Sequence, residues 1–83
     1  MDKRTAIKYL AAIISTLADF PEGSPSGTLY MALATHGATL DDYQTILGIC
    51  QKSGLVTVKS HYVTITEEGK ATAARIKAAI PGL

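Results

Sequence analysis

Residues 39–69, TLDDYQTILGICQKSGLVTVKSHYVTITEEG, decide the fold of this 83-residue chain. Thr39 is a favourable helix N-cap, and Asp42 three residues later completes a variant of the capping box. Gly54 suits the left-handed position that commonly follows the last turn of a helix. The pattern therefore predicts a helix over residues 40–53.

One face of this helix is apolar, because its apolar residues recur every three or four positions. These residues are Leu40, Tyr43, Ile46, Leu47 and Cys50. We expect Cys50 to be buried, since a free cysteine usually behaves as a small hydrophobic residue. Gly48 inside the helix costs about 1 kcal/mol relative to alanine. It would allow close approach of either a partner's backbone or the hairpin that follows.

Two short β-strands follow the helix. Residues 55–59 and 62–66 alternate in polarity and are rich in β-branched side chains, and only Ser60 and His61 separate them. This spacing predicts a β-hairpin. Ser-His lacks the Gly or Asn that a two-residue turn prefers, so the turn type and the loop width stay open. Thr66, followed by two glutamates, predicts the N-cap and acidic first turn of a last helix.

Residues 54–56 (GLV) and 62–70 (YVTITEEGK), with the short hairpin between them, resemble a known family. They are similar to the end of the recognition helix, the wing and the entry to the last helix of small winged helix-turn-helix transcriptional regulators. The resemblance covers residues 40–76. It implies an α+β, mostly α fold with three helices, a short β-hairpin wing and a C-terminal helix, in a single winged-helix domain over residues 1–83.

The longest helical segment comes first, over residues 2–19, and contains no Gly or Pro. It carries two apolar stripes at helical spacing. One consists of Ile7, Leu10, Ile14 and Leu17, and the other of Ala6, Tyr9, Ile13 and Phe20. A helix that is apolar on two sides needs two partners. One is the core, and the second is either another copy of the chain, in a homodimer through the first and last helices, or the C-terminal helix of the same chain.

A loop over residues 20–27, with two prolines and two glycines, leads to the second helix. Either Ser24 or Ser26 is expected to cap that helix, and the choice is open. A short turn over residues 36–38 then gives the spacing of a helix-turn-helix motif. The core candidates of the second helix are Leu29, Ala32 and Leu33.

The last helix is predicted to continue over residues 71–80, where a Pro-Gly pair at residues 81–82 ends it. Ile76, Ile80 and Leu83 continue the apolar pattern. A tail this apolar is expected to pack on the first helix, within the chain or across a dimer.

Composition limits the classes of function. The net charge of +1 gives no strongly basic field to attract nucleic acid, and 47% apolar residues are ample for a core. One cysteine and two distant histidines provide no metal-ligand framework, and no catalytic constellation or phosphate-binding loop occurs. We therefore expect no enzyme, no metal and no cofactor. Without a signal peptide or an apolar run of membrane-spanning length, the protein is expected to be cytoplasmic and not bound to a membrane.

The resemblance implies a DNA-binding transcriptional regulator. The helix over residues 40–53 would enter the major groove, and the hairpin over residues 55–66 would reach the flanking backbone or minor groove of double-stranded DNA. Glutamine can pair with adenine, and threonine can contact the methyl group of thymine. Carried over to this sequence, the base-edge candidates are Gln44, Thr45 and Gln51, and the phosphate or minor-groove candidates are Lys52, Lys59 and His61.

The charges of the presumed recognition helix depart from the family pattern. Asp41, Asp42 and Lys52 give it a net charge of −1, whereas DNA-binding helices usually carry Arg or Lys toward phosphate. The two acids are expected to serve the helix start. The competing hypothesis is a winged-helix protein–protein interaction or dimerisation module that does not bind DNA. It accounts for the balanced charge and for the doubly apolar first helix.

Overall fold

The computed structural model describes residues 1–79, which form four helices and one three-stranded antiparallel sheet. In chain order the elements are helix α1 (Lys3–Ala18), strand β1 (Ser24–Pro25), helices α2 (Ser26–Ala34) and α3 (Leu40–Lys52), strands β2 (Val56–Lys59) and β3 (Tyr62–Ile65), and helix α4 (Glu67–Ala79). The predicted α+β, mostly helical architecture with a β-hairpin before a last helix is confirmed. Among the described residues, no helix has both the length and the apolar character needed to cross a bilayer.

Helix α1 lies at the centre of the fold. Asp2 caps it by accepting the backbone N–H of Thr5 at 2.7 Å. The other three helices and β3 all pack against α1. Helix α1 is therefore buried on more than one side. Its buried side chains are Tyr9, Ala11, Ile13, Ile14 and Leu17.

The two apolar stripes predicted for α1 are correct only in part. Both stripes contribute to the core, but Ile7 is 47% exposed and Phe20 is exposed as well. The first fully buried residue of α1 is Tyr9; before it, Thr5 and Ala6 are partly buried, whereas Ile7 is exposed to solvent. Phe20 follows the C-cap residue Asp19 and lies in a surface turn, outside the helix.

Helix α4 packs on α1 within the same chain. Ala73 of α4 is buried in the shared core, and Ile76 packs against it. Lys77 Nζ lies 4.0 Å from Asp19 Oδ1, which brings the C-terminal ends of the two helices together. The last helix of the same chain therefore packs on α1, as predicted by one of the two alternatives for the second partner of the first helix. The predicted roles of Ile80, Pro81, Gly82 and Leu83 lie outside the described residues.

The start of α2 differs from the prediction that a serine side chain caps it. The N-cap is Pro25, and its side chain makes no capping hydrogen bond. Residues 24–25 instead form a short edge strand that pairs with β3, with Ser24 opposite Val63. A proline is compatible with an edge strand because no ladder hydrogen bond needs its missing N–H. Leu29 and Leu33 are buried as predicted, whereas Ala32 is only partly buried.

Helix α3 begins and ends as predicted. Thr39 Oγ1 accepts the N–H of Asp42, and the Asp42 carboxylate accepts the N–H of Thr39, each at 3.1 Å. At the other end Gly54 adopts φ +75°, and the N–H of Leu55 donates to the carbonyl of Cys50 at 2.9 Å. With the N–H of Gly54 bonded to the Gln51 carbonyl, this is a complete Schellman motif.

The apolar face of α3 differs from the prediction at its first residue. Tyr43, Ile46 and Cys50 are buried, but Leu40 is 50% exposed. Ala38, two residues before the helix, is buried in the core together with Tyr43. This arrangement is that of a hydrophobic staple, in which the residue before the N-cap supplies the apolar contact at the helix entrance. Leu40 is consequently left at the surface.

The hairpin turn contains two residues, which settles the open loop width. Lys59 pairs with Tyr62, and the turn residues Ser60 and His61 have φ of +49° and +66°. Two consecutive positive φ values are characteristic of a type I′ turn. Neither residue is Gly or Asn, so this turn is strained. The sheet order is β1-β3-β2, with β3 in the middle.

A single threonine joins the end of the hairpin to the start of α4. Thr66 Oγ1 accepts the N–H of Gly69 at 3.1 Å and donates to the carbonyl of Gly54 at 2.5 Å. The predicted N-cap is therefore confirmed. Gly69 is buried against the backbone of Leu55 and the side chain of Ile65, so α4 approaches the hairpin closely.

Cys50 is fully buried, as predicted. Burial raises the pKa of its thiol to about 11 from an ordinary value of 9.0. We expect the native protein not to react with a thiol reagent at pH 8, while the urea-unfolded chain reacts quickly. Rapid labelling of the native protein would contradict this burial.

The same shift predicts a loss of stability in alkali. A thiol whose pKa is raised by folding stabilises the folded state below its unfolded pKa, and this contribution disappears as the pH rises from 9.0 to about 11. Burial also raises the pKa of Tyr43, which acts in the same direction. Urea unfolding across this pH range should therefore show a falling free energy of unfolding. The slope should be smaller in Cys50→Ala, which serves as the matched comparison.

Candidate nucleic-acid interface

The exposed side of α3 forms the candidate interface. Because Tyr43, Ile46 and Cys50 point into the core, the residues on the opposite side of the helix project to solvent. We call this side the outward face. It consists of Asp41, Gln44, Thr45, Gly48, Ile49, Gln51 and Lys52.

All six residues predicted to contact DNA are exposed. Four lie on the outward face, and Lys59 and His61 lie at the hairpin tip. No hydrogen bond or ion pair formed within residues 1–79 uses the side chains of these six residues. Their donors and acceptors are therefore available to a partner.

Tyr43 fixes the orientation of α3 through contacts on the core side of the helix. Its hydroxyl lies 2.7 Å from Ser26 Oγ at the start of α2, and its ring packs on Tyr30 with the ring centroids 5.7 Å apart. Rotation of α3 about its axis would break both contacts. The outward face is thus presented in one orientation, which a recognition surface requires.

The hairpin tip is also anchored. The carbonyl of His61 accepts the backbone N–H of Ser26 at 2.7 Å, which continues the pairing of β1 with β3. Ser26 therefore bonds to the tip through its backbone and to Tyr43 through its side chain. This role of Ser26 was not predictable from sequence, because a serine at a helix start is normally interpreted as a cap. No local signal distinguishes the two roles.

The two acids at the start of α3 have different environments. The Asp42 carboxylate is part of the capping box, whereas Asp41 is exposed on the outward face. Lys52 and Lys59 are exposed, and the ion pairs formed within residues 1–79 use other lysines, namely Lys70 with Glu67 and Lys77 with Asp19. The cations nearest to the outward face in sequence are thus free to meet phosphate.

Two further residues of the outward face, Gly48 and Ile49, lie beside the predicted contact residues. A Cβ added to Gly48 would have no neighbour within 4 Å, so the hairpin does not need this glycine for close packing. Close approach of the hairpin to Gly48 is therefore wrong as an explanation. The other explanation, close approach of a partner's backbone, stays a prediction. Ile49 is 43% exposed beside Thr45, although an isoleucine at this position could also have faced the core.

The described residues do not gather metal ligands. No group of three His, Cys, Asp or Glu side chains within residues 1–79 is arranged to hold an ion. His36 and His61 are both exposed, one after α2 and the other at the hairpin tip. Comparison of the chain with family models, with curated proteins and with solved structures gives no match. The geometry of the chain itself must therefore support any proposal of function.

Proposed function

We propose that this chain is a cytoplasmic winged helix-turn-helix protein that binds double-stranded DNA and regulates transcription. Helix α3 would enter the major groove, and the hairpin of β2 and β3 would act as the wing. The order of the elements supports this proposal, since two helices joined by a short turn precede a hairpin whose inner strand also pairs with β1.

One observation carries the proposal. The outward face of α3 holds hydrogen-bonding side chains that the fold leaves unused, on a helix whose other side is locked into the core. Major-groove recognition needs a rigid helix with free amide, hydroxyl and ammonium groups along one side. Gln44, Thr45 and Lys52 supply one of each.

Titration with labelled random-sequence duplex DNA at two salt concentrations tests the proposal. We expect binding that weakens as salt rises, because phosphate contacts release counterions. Lys52→Gln should weaken binding to all sequences equally and lower the salt slope by about 1. Lys70→Gln is the matched control: it removes the same charge from α4, where Lys70 pairs with Glu67, and should leave the slope unchanged.

Absence of binding at low salt would overturn the proposal. Equal slopes for the wild type and for Lys52→Gln would remove α3 from the interface even if DNA binds elsewhere. Both lysines are exposed, so both variants should fold. Circular dichroism of each variant checks that it does.

A second candidate function is protein recognition without DNA. It is favoured by the exposure of three large apolar side chains on the helix-turn-helix, Met31, Leu40 and Ile49, and by the net charge of +1. Exposed apolar side chains that lie together would be typical of a contact with a protein. This candidate predicts no salt-dependent DNA binding.

We also propose a homodimer through α1 and α4. Ile7 is exposed on α1, and Ala71, Ala74 and Ala78 are exposed at helical spacing on α4. Sedimentation equilibrium should then show a mass that rises with concentration above that of the 8.7 kDa chain. Ile7→Glu should shift this association to higher concentration. A constant monomer mass would contradict the dimer.

A further inference from the structure

The outward face of α3 has two chemically different edges. Gln44 and Gln51 are seven residues apart, which is close to two full turns, so they lie along one edge. Thr45 and Ile49 are four residues apart and lie along the other edge. Gly48 lies between the edges, and a Cβ there would meet nothing within 4 Å. A line of amides and a line of methyl groups thus flank a shallow gap.

We infer that this face prefers A·T base pairs in the major groove, with adenine opposite Gln44 and the methyl group of thymine opposite Thr45 and Ile49. The inference rests on the proposed DNA-binding function and deepens it. In the major groove, adenine offers the N7 acceptor and the N6 donor, which a glutamine amide matches with two hydrogen bonds. Thymine offers a methyl group, which an apolar side chain contacts favourably. Both features of an A·T pair therefore have a counterpart on the face.

Guanine has no comparable counterpart. The common guanine contact is an Arg or Lys that donates to O6 and N7, and the outward face has no arginine. Its single lysine, Lys52, is the last residue of α3. The carboxylate of Asp41 can only accept, so it cannot bind the N7 and O6 acceptors of guanine, and its one possible partner in a G·C pair is the N4 amino group of cytosine.

Two free lysines near the outward face complement the negative charge of the DNA phosphates. Lys52 follows the amide and methyl edges at the C-terminal end of α3, and Lys59 stands at the hairpin tip. Neither lysine belongs to an ion pair formed within residues 1–79. These two free cations, one at the end of α3 and one at the hairpin tip, can each contact a phosphate of the DNA backbone. The bare backbone at Gly48 leaves room for the base edges to approach the helix.

Selection from a random duplex library at physiological salt, followed by atomic substitutions in the selected site, tests the inference. We expect enrichment of adjacent A·T pairs. Replacement of the contacted adenine by 7-deaza-adenine removes the N7 acceptor and should weaken binding by roughly tenfold. Replacement of the contacted thymine by uracil removes one methyl group and should weaken binding by about fourfold.

Protein variants assign these losses to residues. Gln44→Ala should become insensitive to 7-deaza-adenine and remain sensitive to uracil. Thr45→Ser removes only a methyl group, so it should remain sensitive to 7-deaza-adenine and become less sensitive to uracil, with the contact of Ile49 left in place. Each variant is thus the control for the other, and both positions are exposed, so both variants should fold.

Four outcomes would overturn the inference, and only the last of them would also remove the proposed function. Selection of G·C-rich sites, or losses that ignore Gln44 and Thr45, would leave the DNA-binding function in place and remove the A·T preference. Salt-dependent binding without any base preference would do the same. No binding to any duplex at low salt would remove both the inference and the proposed function.

Discussion

Replacement of Gly69 by alanine should destabilise the protein by roughly 3 kcal/mol, although glycine is ordinarily the poorer helix former. Gly69 lies in the first turn of α4, and a Cβ there would collide with the carbonyl oxygen of Leu55 and lie 2.6 Å from Cγ1 of Ile65. The carbonyl of Leu55 cannot move freely, because it accepts the N–H of Thr66 at 3.0 Å. Relief of the clash would separate α4 from the hairpin.

Gly48→Ala is the matched control for this substitution. Gly48 is also inside a helix, but a Cβ there would meet nothing within 4 Å, so alanine should raise the free energy of unfolding by roughly 0.5–1 kcal/mol. Urea unfolding of the two variants should therefore give shifts of opposite sign. A Gly69→Ala protein as stable as the wild type would show that the approach of α4 to the hairpin is looser than described.

Ile14→Ala should cost about 3 kcal/mol of stability. Ile14 has no exposed surface, and it lies on α1, against which the other three helices pack. Removal of its side chain beyond Cβ leaves a cavity. The surrounding elements cannot move in to fill it, because they also contact one another. Thermal or urea unfolding measures the loss directly.

Ile7→Ala provides the comparison within the same helix. Ile7 is the same residue type, but it is 47% exposed, so its truncation should change the free energy of unfolding by about 0.5 kcal/mol or less at low protein concentration. Similar losses at both positions would mean that the side chain of Ile7 is covered. A loss at Ile7 that appears only at high concentration would instead point to the proposed dimer.

Local signals were sufficient to predict the helix ends and the hairpin within residues 39–69. The capping box at Thr39, the Schellman glycine at Gly54 and the threonine cap at Thr66 each act within a few residues, so sequence alone contains them. The hairpin was predictable for the same reason, since alternation and spacing are local properties. Only its type I′ turn required the structure, because Ser-His does not indicate that geometry.

Long-range pairing explains most of what could not be predicted. The two-residue strand β1 exists only because β3, almost 40 residues later, offers its free edge to it. Pro25 became the cap of α2 because that pairing sets the path of the chain. The exposure of Leu40 likewise depends on Ala38, which occupies the core position at the start of α3.

The exposure of the candidate residues was predictable from sequence, but the bonds that hold their helix and hairpin in place were not. The exposure of Gln44, Thr45 and Lys52 follows from helical periodicity, and the structure places them accordingly. Contact of these residues with DNA stays a prediction. The bonds that hold the site together, above all those of Ser26, join residues distant in sequence. Such bonds leave no local pattern.

The double attachment of Ser26 has a consequence for the thermodynamics of any complex. Because this residue bonds to both the hairpin tip and α3, the two parts of the surface are preorganised before a partner arrives. A surface that is already ordered loses little conformational entropy on association. The encounter would therefore be limited by diffusion and orientation, with no folding step. The change in heat capacity should then report only the apolar area covered at the contact.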